Sequence, residues 1–208
     1  MITFNDVTVK FLNETVFSNF SMQISSGEKI GIGGASGVGK STLLSAIMGF
    51  VKPISGNVIV DNMPVDSTHI RAIRKQIGWL PQELSFDIKS CRQLMMLPFT
   101  YKQNLKLLPT STDIDSMLEQ LQLDPQILLK QTDEISGGQK QRIMLASILL
   151  LKKPIILLDE PTSALDSEST KALISCILNQ EKTTIISCSH DPLWIESMSR
   201  TITLKNKI

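Results

Sequence analysis

Three stretches of this chain hold residue types spaced so that they can do chemistry on phosphate. The first, Gly34-Ala35-Ser36-Gly37-Val38-Gly39-Lys40-Ser41-Thr42, spells GxxxxGKS. Its glycines let successive backbone N–H groups curl around an anion, Lys40 reaches the terminal phosphates, and the Ser41 hydroxyl suits Mg²⁺. The second, Pro154-Ile155-Ile156-Leu157-Leu158-Asp159-Glu160, is an apolar run ending in two carboxylates. Asp159 is placed to hold the Mg²⁺ shell, and Glu160 to orient and deprotonate an attacking water. The third, Ile135-Ser136-Gly137-Gly138-Gln139, opens a helical pattern in which Ile143, Ala146 and Leu150 share a face. A Ser and two glycines at a helix N-terminus make a second anion-binding end.

These groups need rigid elements to hold them. Lys29–Gly33 reads as a buried strand entering the first motif, and residues 42–48 as the helix leaving it, its positive end aimed at the phosphates. The run before Asp159 reads as a central parallel strand covered on both faces, which puts the acids at the sheet edge where ligands sit.

The order of the three motifs resembles that of the ATP-binding cassette (ABC) family, whose LSGGQ signature is present with Ile135 in place of Leu. The resemblance implies an α/β fold: a P-loop NTPase core with a parallel sheet, an N-terminal antiparallel β lobe and an inserted α-helical subdomain. It implies roles for further residues. Gln82, in Trp79-Leu80-Pro81-Gln82, matches the Q-loop glutamine that senses Mg²⁺ and the attacking water. Ser163-Ala164-Leu165-Asp166 matches the D-loop, and His190, after the apolar strand 184–189, matches the switch histidine that contacts the γ-phosphate. Phe11 stands where the family usually has a Tyr stacked on adenine; it keeps the π-face and loses the hydroxyl, with a strand-end core position as the alternative.

The resemblance also implies two ATP molecules with Mg²⁺ sandwiched in an ATP-dependent dimer, the phosphate loop of one chain facing the signature of the other. The partner cassette is a second copy or a related chain, and a separate transmembrane permease is driven as the sandwich closes and opens. Other readings are a soluble ABC-type ATPase that serves as a mechanical or regulatory module, and a P-loop kinase, against which ISGGQ argues. Small bacterial ATPase subunits proposed for iron export are similar in their compactness and around Met95-Met96-Leu97-Pro98-Phe99.

Composition bounds the rest. A chain of 208 residues buries roughly 70% of its unfolded surface in one core. The net charge of +1 gives no nucleic-acid footprint. Cys91, Cys176 and Cys188 show no CxxC and read as reduced thiols, which points to the cytosol. The most apolar region, 143–158, is interrupted by Lys152-Lys153-Pro154, so no bilayer span is expected, and any membrane association runs through the permease on the inner face.

One ABC ATPase domain is expected over 1–208, with 1–82 and 137–208 as nucleotide-binding core and β lobe and 83–136 as the helical subdomain. Ile2, Phe4, Val7, Val9 and Phe11 alternate with a phase slip at Asn5-Asp6; Phe20, Met22 and Ile24 alternate again, and residues 58–60 join them. Ile114, Met117, Leu118 and Leu121 have helical spacing, and Asp124-Pro125 reads as a helix start. Residues 167–179 read as a helix and 202–204 as a last strand. Met95, Met96, Leu97 and Phe99 suit either a contact for a moving membrane partner or a small core for the insertion.

Overall fold

A computed structural model describes residues 1–11, 14–83 and 87–204; residues 84–86 of the expected insertion and 205–208 at the end lie outside the described residues. In chain order the strands are β1 (Ile2–Phe11), β2 (Glu14–Ile24), β3 (Lys29–Gly33), β4 (Ser55–Val60), β5 (Met63–Pro64), β6 (Ile77–Leu80), β7 (Ile155–Asp159), β8 (Thr184–Cys188) and β9 (Arg200–Thr203). The α-helices are α1 (Lys40–Ile47), α2 (Ile70–Lys75), α3 (Cys91–Met96), α4 (Ser111–Gln120), α5 (Gly137–Leu150), α6 (Ser167–Leu178) and α7 (Pro192–Glu196).

Two sheets result. One is antiparallel in the order β2-β1-β4-β5, and the other is parallel in the order β6-β7-β8-β3-β9. The phase slip in β1 is a bulge: Asp6 takes φ 47° and the register jumps between Phe4 and Val7, so that both of those side chains stay buried. Strands β3, β7 and β8 are buried along their whole length, as apolar strands covered by helices on both faces must be. One core fills the space between the antiparallel sheet, α1 and one face of the parallel sheet; the other joins the opposite face to α3, α4, α5 and α6.

Three expectations shift. Helix α1 starts at Lys40, two residues before Thr42, so the lysine and serine of the first motif belong to its first turn. The start at Asp124 is real, with its carboxylate accepting from Gln126 N–H at 2.9 Å, but the element is a 3-10 helix over Pro125–Leu129. It stops because the chain must turn back: Lys130 accepts from Cys91 N–H at 3.1 Å, and Thr132 N–H reaches Lys89 at 2.7 Å. Strand β9 begins at Arg200, where an exposed edge position hid it from the hydrophobic pattern.

Of the two readings of the methionine cluster, the core one holds for Met95 and Phe99, while Met96 and Leu97 are half-buried. Met95 is 0% exposed, Pro98 and Phe99 are buried, and Met96 packs against the same cluster as Leu118, Ile143 and Met144. A carboxylate at Met95 would be forced to stay neutral or to break that core, so Met95→Glu is expected to cost about 3–5 kcal/mol, read as a lower midpoint in denaturant unfolding. A second tie holds this region to the sheet: Lys153 Nζ donates to Asn104 Oδ1 at 2.7 Å and to the Lys75 carbonyl at 2.9 Å, while Asn104 Nδ2 donates to the Pro98 carbonyl at 2.9 Å. Burial pushes the Lys153 ammonium below its ordinary pKa, and its two oxygen acceptors are what let it stay inside.

Candidate functional site

The four strands of the parallel sheet that precede chemistry-bearing residues all deliver them at the same edge. Strand β3 ends at Gly33 and leads into the glycine-rich loop; β6 leads to Gln82, β7 to Asp159 and Glu160, and β8 to His190. In a parallel sheet these carboxyl ends share one side, the usual place for a ligand.

Gly39 sets the shape of the loop. Its φ is 102°, in the left-handed region, and a Cβ there would meet Val16 Cγ1 at 2.3 Å, so only glycine fits before α1. Lys40 then turns inward, donating to the Gly34 carbonyl at 2.9 Å and the Ala35 carbonyl at 3.2 Å, with Nζ 3.8 Å from Glu160 Oε1. Ser36, Gly37, Gly39, Lys40, Ser41, Thr42, Gln82 and Glu160 line a cleft of about 170 Å³. Ser36, Gly37 and Thr42 also line a second cleft of about 550 Å³, together with Val38 and Phe11. Phe11 is 49% exposed there, which rules out the core alternative and leaves its ring face available for stacking.

Asp159 is the last residue of β7 and is buried. Burial pushes its carboxyl up most strongly; a hydrogen bond from the Ser41 hydroxyl pulls it down, Glu160 pushes it up and Lys40 pulls it down. Its Oδ1 has no hydrogen-bond partner, although a buried carboxylate oxygen left alone is costly. The oxygen donors Ser41, Asp159 and Gln82 suit Mg²⁺, and a divalent cation would satisfy that orphan oxygen.

Glu160 occupies a left-handed backbone position, φ 50°, which is strained for a residue with a side chain. Its N–H donates to the Cys188 carbonyl at 2.8 Å, and the curl directs the carboxylate back across the sheet edge. There Oε2 meets His190 Nδ1 at 2.8 Å and the His190 N–H at 3.3 Å. Beside it, in register with Asp159 on β8, Cys188 is deeply buried, and that burial pushes its thiol well above the ordinary pKa. It behaves as a small apolar residue.

The signature residues stand apart from this cluster within one chain. Ser136 N-caps α5: its hydroxyl accepts from Gln139 N–H at 3.2 Å and Gln139 Oε1 accepts from Ser136 N–H at 2.9 Å, a closed capping box. Gln139 lines a different cleft, with Gln122, Asp124 and Lys130. Gly137 is exposed, and Gly138 is pressed against the D-loop, where a Cβ would sit 2.4 Å from the Ala164 carbonyl oxygen. The D-loop ends at Asp166, which N-caps α6 by accepting from Ser169 N–H at 2.7 Å. Sequence reasoning missed Gln141. It is buried on α5 and bonded to Glu160 and the D-loop, and the sequence held no local signal for it, because Gln139, Lys140 and Arg142 surround it with other polar side chains.

A family model described as ABC transporter matches residues 17–163. This chain belongs to the ABC transporter family. Like other ATP-binding members of the ABC transporter family, it is an ATPase. The thiamine import ATP-binding protein ThiQ of Shigella boydii serotype 4 (strain Sb227) is 35% identical over 195 residues, covering 91% of this chain and 81% of that protein. The mesentericin transport/processing ATP-binding protein of Leuconostoc mesenteroides is 30% identical over 204 residues, covering 96% of this chain but only 28% of that relative's length. Among solved structures, the dimeric structure of a post-hydrolysis state of an ATP-binding cassette, bound to ADP and Pi, matches with a TM-score of 0.80 at 29% identity, over 99% of this chain and 94% of that one.

Proposed function

We propose that the chain is the nucleotide-binding subunit of an ABC membrane transporter, with the phosphates of ATP seated on residues 34–42 and hydrolysed by water that Glu160 activates. The observation that carries this reading is the meeting of Lys40, Ser41, Gln82 and Glu160 at one cleft, with the buried Asp159 hydrogen-bonded to Ser41 and in the field of Lys40 and Glu160. Lys40 exchanges the carbonyls of Gly34 and Ala35 for phosphate oxygens, gaining charged partners. Glu160 takes the proton of the attacking water, and His190 holds the carboxylate in place while presenting its exposed ring to the γ-phosphate. Mg²⁺, held by Ser41, Asp159 and Gln82, would neutralise charge on the phosphate oxygens when bound. The adenine stacks on Phe11.

Residues 136–139, separate from the cleft in their own chain, complete the site of a second copy in a head-to-tail dimer; the dimeric cassette with a TM-score of 0.80 supports that reading. Residues 83–136 form the subdomain between the two motifs. Two relatives are named for thiamine import and mesentericin transport, which supports a permease partner and peripheral placement on the inner membrane face, and shows that identity at this level does not fix the cargo. Among the described residues no helix is long and apolar enough to cross a membrane.

The purified chain with Mg-ATP is expected to release inorganic phosphate with no phosphorylated acceptor, and to stop when a chelator removes Mg²⁺. Transfer of phosphate to an added acceptor, or release indifferent to the chelator, would overturn the assignment.

A further inference from the structure

The backbone of Glu160 needs support from outside its own strand. A non-glycine residue at φ 50° sits in a sparsely populated conformation, which lasts only when neighbours over-determine it. The N–H side is tied to Cys188 on β8. The carbonyl side is tied to helix α5, where Gln141 Nε2 donates to Glu160 O at 2.9 Å. The same amide group reaches 3.4 Å to the Ser163 hydroxyl, and its Oε1 accepts from Ala164 N–H at 3.3 Å. One buried side chain therefore spans from α5 to the base and to both ends of the Ser163-Ala164 step. Gly138, three residues earlier on the same helix, brings the helix this close, since a Cβ there would lie 2.4 Å from the Ala164 carbonyl oxygen.

We infer that Gln141 is a positioning residue for hydrolysis: it holds Glu160 in its left-handed backbone and locks the 160–164 turn to the N-terminal end of α5. The inference rests on the proposed function and deepens it, because Gln141 lies two residues past Gln139. In the head-to-tail dimer the end of α5 faces the partner's nucleotide, so a shift of α5 there moves the base of its own chain. Gln141 is not among the residues that line the cleft and acts through Glu160.

The test uses the full chain and three variants, with steady-state ATPase rates and thermal melting. Gln141→Met fills the same space without hydrogen bonds. Its kcat should fall about tenfold or more while KM for Mg-ATP stays within about twofold, since residues 34–42 are untouched. Gln141→Glu adds a readout that a packing role would not move. Protonated, its carboxyl can donate to the Glu160 carbonyl; ionised, it cannot. A buried carboxyl titrates above its ordinary range, so the rate of Gln141→Glu relative to wild type should rise as pH falls from about 8 to about 6. An unchanged kcat in folded Gln141→Met overturns the inference. So does a pH-independent ratio for Gln141→Glu, which decides the matter if the methionine variant fails to fold. Glu160→Gln serves as the control that separates the two levels: if it retains wild-type turnover, the proposed role of Glu160 falls and the inference with it, whereas a silent Glu160→Gln beside a fully active Gln141→Met removes the inference alone.

Discussion

Glu160→Gln is expected to bind Mg-ATP as the wild-type chain does and to hydrolyse it slower by a factor on the order of 10² or more. The amide keeps the length and shape of the side chain, and its oxygen can still accept from the His190 N–H that now approaches Oε2 at 3.3 Å. What it loses is basicity, together with the charge that faces Lys40 at 3.8 Å. Because the left-handed backbone at residue 160 is held by Cys188 and Gln141 through main-chain atoms, the exchange should leave the turn intact. With hydrolysis blocked and both nucleotides retained, the closed dimer should accumulate. Phosphate release measures the first effect, and size-exclusion chromatography with and without ATP the second. Turnover close to wild type would remove the role assigned to Glu160, whatever the oligomeric state.

The parts of this structure legible in the sequence are those whose cause is local. The GxxxxGKS loop, the apolar strand that ends at Asp159 and the helix start at Ser136 each depend on residues within a few positions of one another, and each lies where its pattern puts it. The bulge in β1 was visible for the same reason, as a slip in alternation that keeps Phe4 and Val7 on the buried side. What stayed hidden depends on partners far along the chain. Helix α5 is buried on nearly every side from Gln141 to Leu150, so an apolar stripe at Ile143, Ala146 and Leu150 describes only part of it, and the acceptor of Gln141 is nineteen residues away. Composition could not decide between contact and core for Met95 and Phe99, because the decision belongs to α5 and the 3-10 helix Pro125–Leu129, which pack against this segment. Helix α2, six residues long with a single buried side chain, offers too little period to read.

Lys40→Ala should remove tight nucleotide binding from a chain that still folds. The ammonium is buried at the mouth of the loop, and its partners are two carbonyls of that loop and, at 3.8 Å, the Glu160 carboxylate, so it is wired to the site and not to either hydrophobic core. Its removal leaves Glu160 with His190 as a partner and exposes the carbonyls of Gly34 and Ala35 to solvent through the cleft. A loss of stability of about 3 kcal/mol follows from two charged hydrogen bonds at about 1.5 kcal/mol each, the ion pair at 3.8 Å adding little, which is short of unfolding a domain of this size. The effect on ATP is larger. Two charge-assisted contacts to phosphate are together worth about 3–4 kcal/mol, so the affinity for Mg-ATP should fall by a factor on the order of 10² or more. Titration calorimetry reads the affinity and thermal melting confirms the fold. A folded Lys40→Ala chain that binds Mg-ATP as tightly as wild type would mean that the ammonium faces no phosphate, and residues 34–42 would then lose their assignment as the phosphate seat.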